Sequence, residues 1–475
     1  MTEPILTDKI YVDGRFITPH GTAVLETVSP STMEKMARVV LADETDVLGA
    51  VAAAKRAFPS FARTTPAERR EYLNSLREAM LKKVDELTEV IIREYGAPIK
   101  VARARAELTA DSFKFTRDVL EDFSFTERAG GALVFLEPAG VVGIITPWNA
   151  SSSSVCMKLA SALGAGCTTV IKPSEFSPLQ TMAMTEGLAG AGLPPGVINV
   201  VTGLGPAAGE ALSTSPDVDM MSFTGSTGVG KQIYRNGAET VRKTTLELSG
   251  KSPNIILPDA DLDKALPQAV WDCFGNNGQM CIAGSRLLVP RSLQDKVATL
   301  VKKIIEGIKV GYPWEPETQI GPVVNQTQFE RVQRYLDIGV NEADLLTGGP
   351  GKPAGLESGF FVKPTAFINV TNQMTIARED VFGPVVSIIS YNDVDEAVEI
   401  ANDTVFGLAA YISGRDLDRA REVAGRLRAG RVVINGPRNS LTAPFGGFKQ
   451  SGLGREYGAH GLRECLEPKT VLGWE

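Results

Sequence analysis

The sequence predicts an α/β protein built on a doubly wound parallel sheet. Three observations carry that prediction. Short apolar runs recur between residues 140 and 250, and amphipathic stretches separate them. The runs are apolar throughout rather than alternating, as strands are when helices cover both faces of a parallel sheet. The segment before them, 45–128, is rich in Ala, Leu, Glu, Lys and Arg at helical spacing.

Taken in order, "AERREYLNSLREAMLKKVDELTEVIIREYG" reads as helix closed by Gly96, because glycine adopts the left-handed backbone that ends a helix without strain. The strands follow: "GVVGIIT" (140–146), "CTTVIKP" (167–173), "GVINVVTG" (196–203), "VDMMSFTG" (218–225) and "KTTLELSG" (243–250). Between them the pattern predicts a helix through Lys158 to Leu163, one from Pro178, a short one, and one from Ser226. Ligands of such a sheet sit beyond the carboxyl ends of its strands. The second half repeats the alternation less regularly, with strands at 253–257, 286–290, 384–391, 408–413 and 430–435 and a Gly/Pro-rich surface loop around 347–355.

Composition sets the class. The 475 residues are 43% apolar, 22% charged and 7% aromatic, which fits a soluble globular chain of two or three domains. A net charge of −7 without a Lys/Arg run argues against nucleic acid or a membrane surface as partner. The uncharged windows Pro138–Met157 and Gly187–Gly209 are interrupted by Pro, Gly, Asn or clustered Ser, so neither reads as a membrane span. The amino terminus lacks a basic start followed by an apolar core, so a reducing cytoplasm is expected. Cys156, Cys167, Cys273, Cys281 and Cys465 form no CxxC pair, and with two histidines in the chain no metal site is expected.

Several stretches carry chemistry. "FTGSTGVGKQ" (223–232) places a glycine-rich turn between strand and helix, where backbone N–H groups can face a phosphate. It falls short of a P-loop because Gln232 stands where Ser or Thr would hold magnesium. Asn149, in "TPWNASSSS", either stabilises a developing oxyanion or caps the next helix. In "KPSE", Lys172 and Glu175 either bond a ribose or form a solvated turn. Glu247 interrupts an apolar strand, so it is either paired structurally or tuned as a base. Cys281, in "NNGQMCIAGSR", is either a packed thiol or a nucleophile among glycines and polar donors, with no histidine nearby in sequence.

Together "PWN", "KPSE", "FTGST", "LELSGKSPN", "GQMC", "EDVFGP" and "PFGGFKQSG", in that order over nearly the whole chain, resemble the aldehyde dehydrogenase superfamily. The resemblance implies that Cys281 attacks the aldehyde, that Asn149 and the Cys281 N–H hold the oxyanion, and that Glu247 activates water, with Glu456 relaying the proton. It implies that NAD, in preference to NADP, binds along Ile145, Thr146, Pro147 and Trp148. Lys172, Ser174 and Glu175 would then meet its adenosine end, Gly225 and Ser226 its pyrophosphate, and Asp380 and Phe382 its nicotinamide side. Met157, Met280, Ile282, Arg438 and Phe445 would border the aldehyde. The resemblance also implies a cofactor domain (1–118 and 139–247), a catalytic domain (248–462) and a β-flap (119–138 and 463–475) used in a homodimer or homotetramer.

Three departures stand out. Asp380, preceded by Glu379, occupies a position that is usually Glu, Ser249 one that is commonly Gly, and Ala150 with four serines a bulky stretch. The serines predict a more polar funnel. Arg438, in "GPRNSLTA", is expected to bind a carboxylate, phosphate or phenolate on the substrate or else to lie at a surface. A CoA-acylating semialdehyde dehydrogenase and a nucleotide-binding module without redox chemistry are the alternatives. Glu247 counts against the first, and the joint presence of Cys281, Glu247 and Asn149 against the second.

Overall fold

The computed structural model describes residues 3–436 and 440–474. Four helices open the chain after a short N-terminal sheet: α1 (Glu44–Phe61), α2 (Pro66–Leu81), α3 (Val84–Tyr95) and α4 (Ile99–Asp122). Capping boxes start α1 (Asp43 with Asp46) and α2 (Thr65 with Glu68), each satisfying otherwise orphaned N–H groups for about 1 kcal/mol. Gly96 closes α3 at φ 80°, the left-handed cap expected of it.

The first large sheet then forms from β1 (Val141–Ile145), β2 (Thr168–Lys172), β3 (Ile198–Val200), β4 (Met220–Thr224) and β5 (Lys243–Glu247). These pair in parallel in the order β5-β4-β1-β2-β3. Antiparallel edges complete it: Gly452–Leu453 on β5, and Ile10–Val12 followed by Arg15–Ile17 beyond β3. Between strands lie α5 (Ser151–Ala165), α6 (Pro178–Gly190) and α7 (Thr227–Ala238), with a short helix at Glu210–Thr214. Both faces of β1 are buried. Val142 and Ile144 join one core with α2 to α6, while Val141 and Ile145 join another with α1 and Ile233 of α7. Each such side chain contributes about 1.5–3 kcal/mol on burial, which is why the strands read as continuous apolar runs.

The second sheet is also mostly parallel. Its strands are β6 (Pro253–Ile256), β7 (Arg286–Pro290), β8 (Thr365–Ile368), β9 (Val385–Tyr391), β10 (Ala409–Ser413) and β11 (Arg431–Ile434), ordered β8-β9-β7-β6-β10-β11, with Asp344–Thr347 antiparallel on β8. A small antiparallel sheet joins Thr126–Ala129, Ala132–Pro138 and Leu466–Leu472. Residues 119–122 still belong to α4, and Leu453 pairs with Leu246 of the first sheet.

Sheet order positions the site. Strand order reverses on either side of β1, so a crevice opens beyond the carboxyl ends of β1 and β4. The amino ends of β6 and β7 are reached through the loops that follow Glu247 and Cys281.

Candidate active site

A cavity of about 460 Å³ opens at this crevice. Pro147, Trp148 and Asn149 line it from the end of β1, Gly225 and Ser226 from the end of β4, and Glu247 from the last position of β5. Cys281, Met280 and Ile282 enter from the loop after helix α8 (Leu262–Phe274).

Cys281 differs from the other cysteines in its surroundings. Cys156, Cys167, Cys273 and Cys465 are buried, whereas Cys281 is half-buried and borders the cavity. Its loop is held by an unusual backbone: Asn276, Asn277 and Gly278 follow one another at φ 56°, 57° and 73°. Asparagine tolerates this left-handed region better than other residues with a β-carbon. Their side chains fix the loop. The Asn277 amide donates to the carbonyls of Gly96 (3.1 Å) and Pro322 (2.9 Å), and the Gln279 amide to the Tyr95 hydroxyl (2.9 Å).

Asn149 does not cap α5, whose amino end has no side-chain cap. Its Nδ2 lies against the cysteine loop and donates to the Gln279 carbonyl at 3.0 Å. Its own carbonyl accepts from Arg105 Nη1 (2.6 Å) and Asn276 Nδ2 (3.2 Å).

Glu247 is buried, and its Oε2 has no hydrogen-bond partner among the described residues. Burial first, and then the charge of Glu456, lift its carboxyl well above the usual range. Gly446 keeps room beside it, since a β-carbon there would stand 2.8 Å from Glu247 Oε1. Glu456 also borders the cavity, ion-paired to the buried Lys158 of α5, which in turn donates to Ser222 Oγ at 3.0 Å. Burial first, then Glu247 and Asp380, push the Cys281 thiol up to about 12.

The rest of the wall completes a channel. Phe382, at φ 58°, meets Trp148 edge to face at 5.4 Å. Asp380 lines the cavity, whereas Glu379 accepts from the Tyr335 hydroxyl at 2.5 Å and lies outside it. A β-carbon at Gly225 would stand 2.4 Å from the Phe223 ring, so the backbone stays bare where α7 begins. Ser226 caps that helix by accepting from the Val229 N–H at 3.4 Å. The bare turn and the positive helix end fit the phosphates of a dinucleotide, and beside them the buried Thr146 Oγ1 has no partner among the described residues.

The family model for the aldehyde dehydrogenase family matches residues 16–471. The chain belongs to that family. Putative aldehyde dehydrogenases of Staphylococcus saprophyticus and Staphylococcus epidermidis are 44% and 42% identical to it over 468 residues, 98% of each chain. Among solved structures, a mutant of aldehyde dehydrogenase C from Pseudomonas syringae, complexed with NAD+ and octanal, is 44% identical, with a TM-score of 0.97 over 99% of this chain and 97% of that one. An aldehyde dehydrogenase of Mycobacterium tuberculosis complexed with NAD+ is 38% identical, with a TM-score of 0.96 over the whole of both chains.

Within this aldehyde dehydrogenase fold, Met157, Met280, Ile282 and Phe445 all line the cavity. Ile145, Thr146, Lys172, Ser174 and Glu175 lie outside its wall. Ile145 packs in the core beside α1, and Lys172 is buried, bonded to Glu175 (3.2 Å) and to the Gly203 carbonyl (2.8 Å). Ser174 Oγ accepts from the Phe176 N–H at 3.2 Å. Arg438 falls outside the described residues. Of the serines, Ser153 and Ser154 line the cavity, while Ser152 bonds Thr109 at 3.1 Å. Sequence reasoning missed Arg105, Leu108 and Arg331 in the wall and Lys158 behind it. Lys158 did carry a signal, a lone cation in an otherwise uncharged helix. Arg105 carried none within a helix rich in charge.

Proposed function

We propose that the chain oxidises an aldehyde to the carboxylic acid with NAD, with Cys281 as nucleophile. The observation that carries this reading is the meeting, in one cavity, of the half-buried Cys281, the Asn149 amide and a Glu247 carboxyl oxygen with no partner among the described residues.

With its thiol raised to about 12, the resting sulfur holds its proton. That proton leaves to a base during attack, and Glu247, in its ionised form, lines the same cavity as the thiol and serves as that base. The sulfur bonds to the aldehyde carbon, and the carbonyl oxygen becomes an oxyanion held by Asn149 Nδ2 and the Cys281 N–H. NAD, when bound, accepts the hydride that leaves this carbon. A thioester on Cys281 remains. Glu247 takes a proton from water, the resulting hydroxide equivalent adds to the thioester carbon, and the thiolate departs, releasing the acid. Glu456, tied to Lys158, provides a way out for the proton.

Ser226 and the amino end of α7 would hold the pyrophosphate, Lys172 and Glu175 the adenine ribose, and Asp380 and Phe382 the nicotinamide side. Glu175 repels a 2′-phosphate, which favours NAD over NADP. Asp380 serves the ribose in preference to Glu379, which is engaged by Tyr335. We further infer a cofactor domain of 1–118 and 139–247, a catalytic domain of 248–462, and a flap of 119–138 and 463–475 that joins subunits in a dimer or tetramer. The unpaired cysteines suit a reducing, cytoplasmic setting, and no helix among the described residues is long and apolar enough to cross a membrane.

The test is NADH formation from a panel of aldehydes. The wild-type protein produces NADH, and Cys281→Ala produces none while still binding NAD. Undiminished turnover by Cys281→Ala would overturn the reading.

A further inference from the structure

Arg105 projects from α4 into the cavity wall one turn before Leu108, which also lines it. Its setting differs from that of the buried Arg286 and Arg69. Arg286 uses Nε, Nη1 and Nη2 on the carbonyls of Lys251, Ile400 and Ala401 and on the Asn372 side chain. Arg69 likewise uses all three nitrogens, on Thr64 Oγ1 and on the carbonyls of Gly164, Ala165 and Ala62. Two buried lysines near the site each pair with a carboxylate, Lys158 with Glu456 and Lys172 with Glu175.

Arg105 has neither arrangement. Among the described residues it donates through Nη1 to the Asn149 carbonyl and bonds Tyr95, whose ring its guanidinium overlies at 5.2 Å. Both partners are neutral, and no carboxylate of the described residues forms an ion pair with it. Burial pushes the guanidinium down from its ordinary value, and Tyr95 alone offsets this. A half-buried cation whose fork is only partly used, lining a cavity, is stabilised by an anion that brings two oxygens. Around it the wall alternates in character: Ser153 and Ser154 add hydroxyls, while Leu108, Met157, Leu441 and Phe445 form an apolar sleeve for a carbon skeleton.

We propose that Arg105 makes the aldehyde end of this cavity an anion-recognising subsite, so that the preferred substrates are aldehydes carrying a second, carboxylate group. The proposal rests on the reading of the cavity as an aldehyde site. It concerns a different residue from Arg438.

Two aldehydes of matched shape test it, 4-carboxybenzaldehyde and 4-methylbenzaldehyde, with wild type, Arg105→Met and Arg105→Lys, and with NAD binding as the control for folding. Wild type favours the carboxylate-bearing aldehyde in kcat/KM. Arg105→Met lowers that value at least ten-fold more than it lowers the neutral one's, mainly through KM, and Arg105→Lys recovers part of the preference. Absence of a preference in wild type would overturn the subsite even if no variant folds. Equal losses on both aldehydes in Arg105→Met would reduce Arg105 to a positioning residue for Asn149. NADH from the neutral aldehyde alone sinks this inference and leaves the broader reading standing. NADH from neither aldehyde, nor from the wider panel, sinks both.

Discussion

Glu247 and Glu456 are the same functional group set apart by their partners. Glu456 has the Lys158 ammonium against it, whereas Glu247 is buried with an unpartnered oxygen and feels Glu456 as a like charge. A raised carboxyl stays protonated further into the neutral range, so a base of this kind gains activity as pH rises through its elevated value. Glu456→Gln removes the like charge and leaves Lys158 beside the site, and both changes lower the Glu247 value. The rising limb of the kcat–pH profile in the variant is therefore expected at lower pH than in wild type. An unmoved or alkaline-shifted limb would show that Glu456 does not act on Glu247. At this scale the sequence was legible where chemistry demanded an unusual residue in an ordinary element, such as a carboxylate in an apolar strand. It was silent on Arg105, because a helix rich in charge does not reveal which of its arginines faces a cavity.

The loop from Asn276 to Cys281 depends on a conformation more than on any one contact. Gly278 sits at φ 73°, and a β-carbon there would stand 2.1 Å from the Gly383 carbonyl carbon, next to Phe382 in the opposite wall. Backbone cannot retreat as a flexible side chain does. Gly278→Ala is expected to cost on the order of 3 kcal/mol in denaturant unfolding, from left-handed strain together with overpacking. Turnover should fall with it, because the displaced loop carries Cys281 away from Asn149. A variant of wild-type stability and rate would mean that the loop tolerates more movement than its hydrogen bonds to Tyr95, Gly96 and Pro322 suggest. Elements were the most legible level. The parallel strands were visible as apolar runs because both their faces are buried, with errors of a few residues at the ends. The strand read as 243–250 ends at Glu247, where the chain leaves the sheet to begin the site. The two-residue strand Gly452–Leu453 was invisible, being too short for any pattern and fixed only by its pairing to β5.

Across the whole molecule, two mostly parallel sheets meet with the carboxyl ends of one toward the loops that feed the other, and the cavity lies between them. The small sheet of Thr126–Ala129, Ala132–Pro138 and Leu466–Leu472 ends at Leu472, 78% exposed, and Trp474, two residues beyond, is 57% exposed. Apolar side chains on an edge strand are a liability for a lone chain and an asset in an interface. Sedimentation velocity is expected to give a dimer or tetramer, and truncation after residue 463 a smaller species; a wild-type monomer at micromolar concentration would contradict the flap's proposed role. Which subunits meet, and through which face, has no period or motif to announce it, so it came from resemblance alone.

The most direct probe of the covalent chemistry is the mass of the protein caught during turnover. In Glu247→Gln the thioester should form normally and hydrolyse slowly, so mixing with NAD and an aldehyde should give one burst of NADH. The quenched protein should then be heavier by the acyl group, located on the peptide that contains Cys281. An unmodified mass after the burst, or an acyl group attached elsewhere, would contradict attack by Cys281.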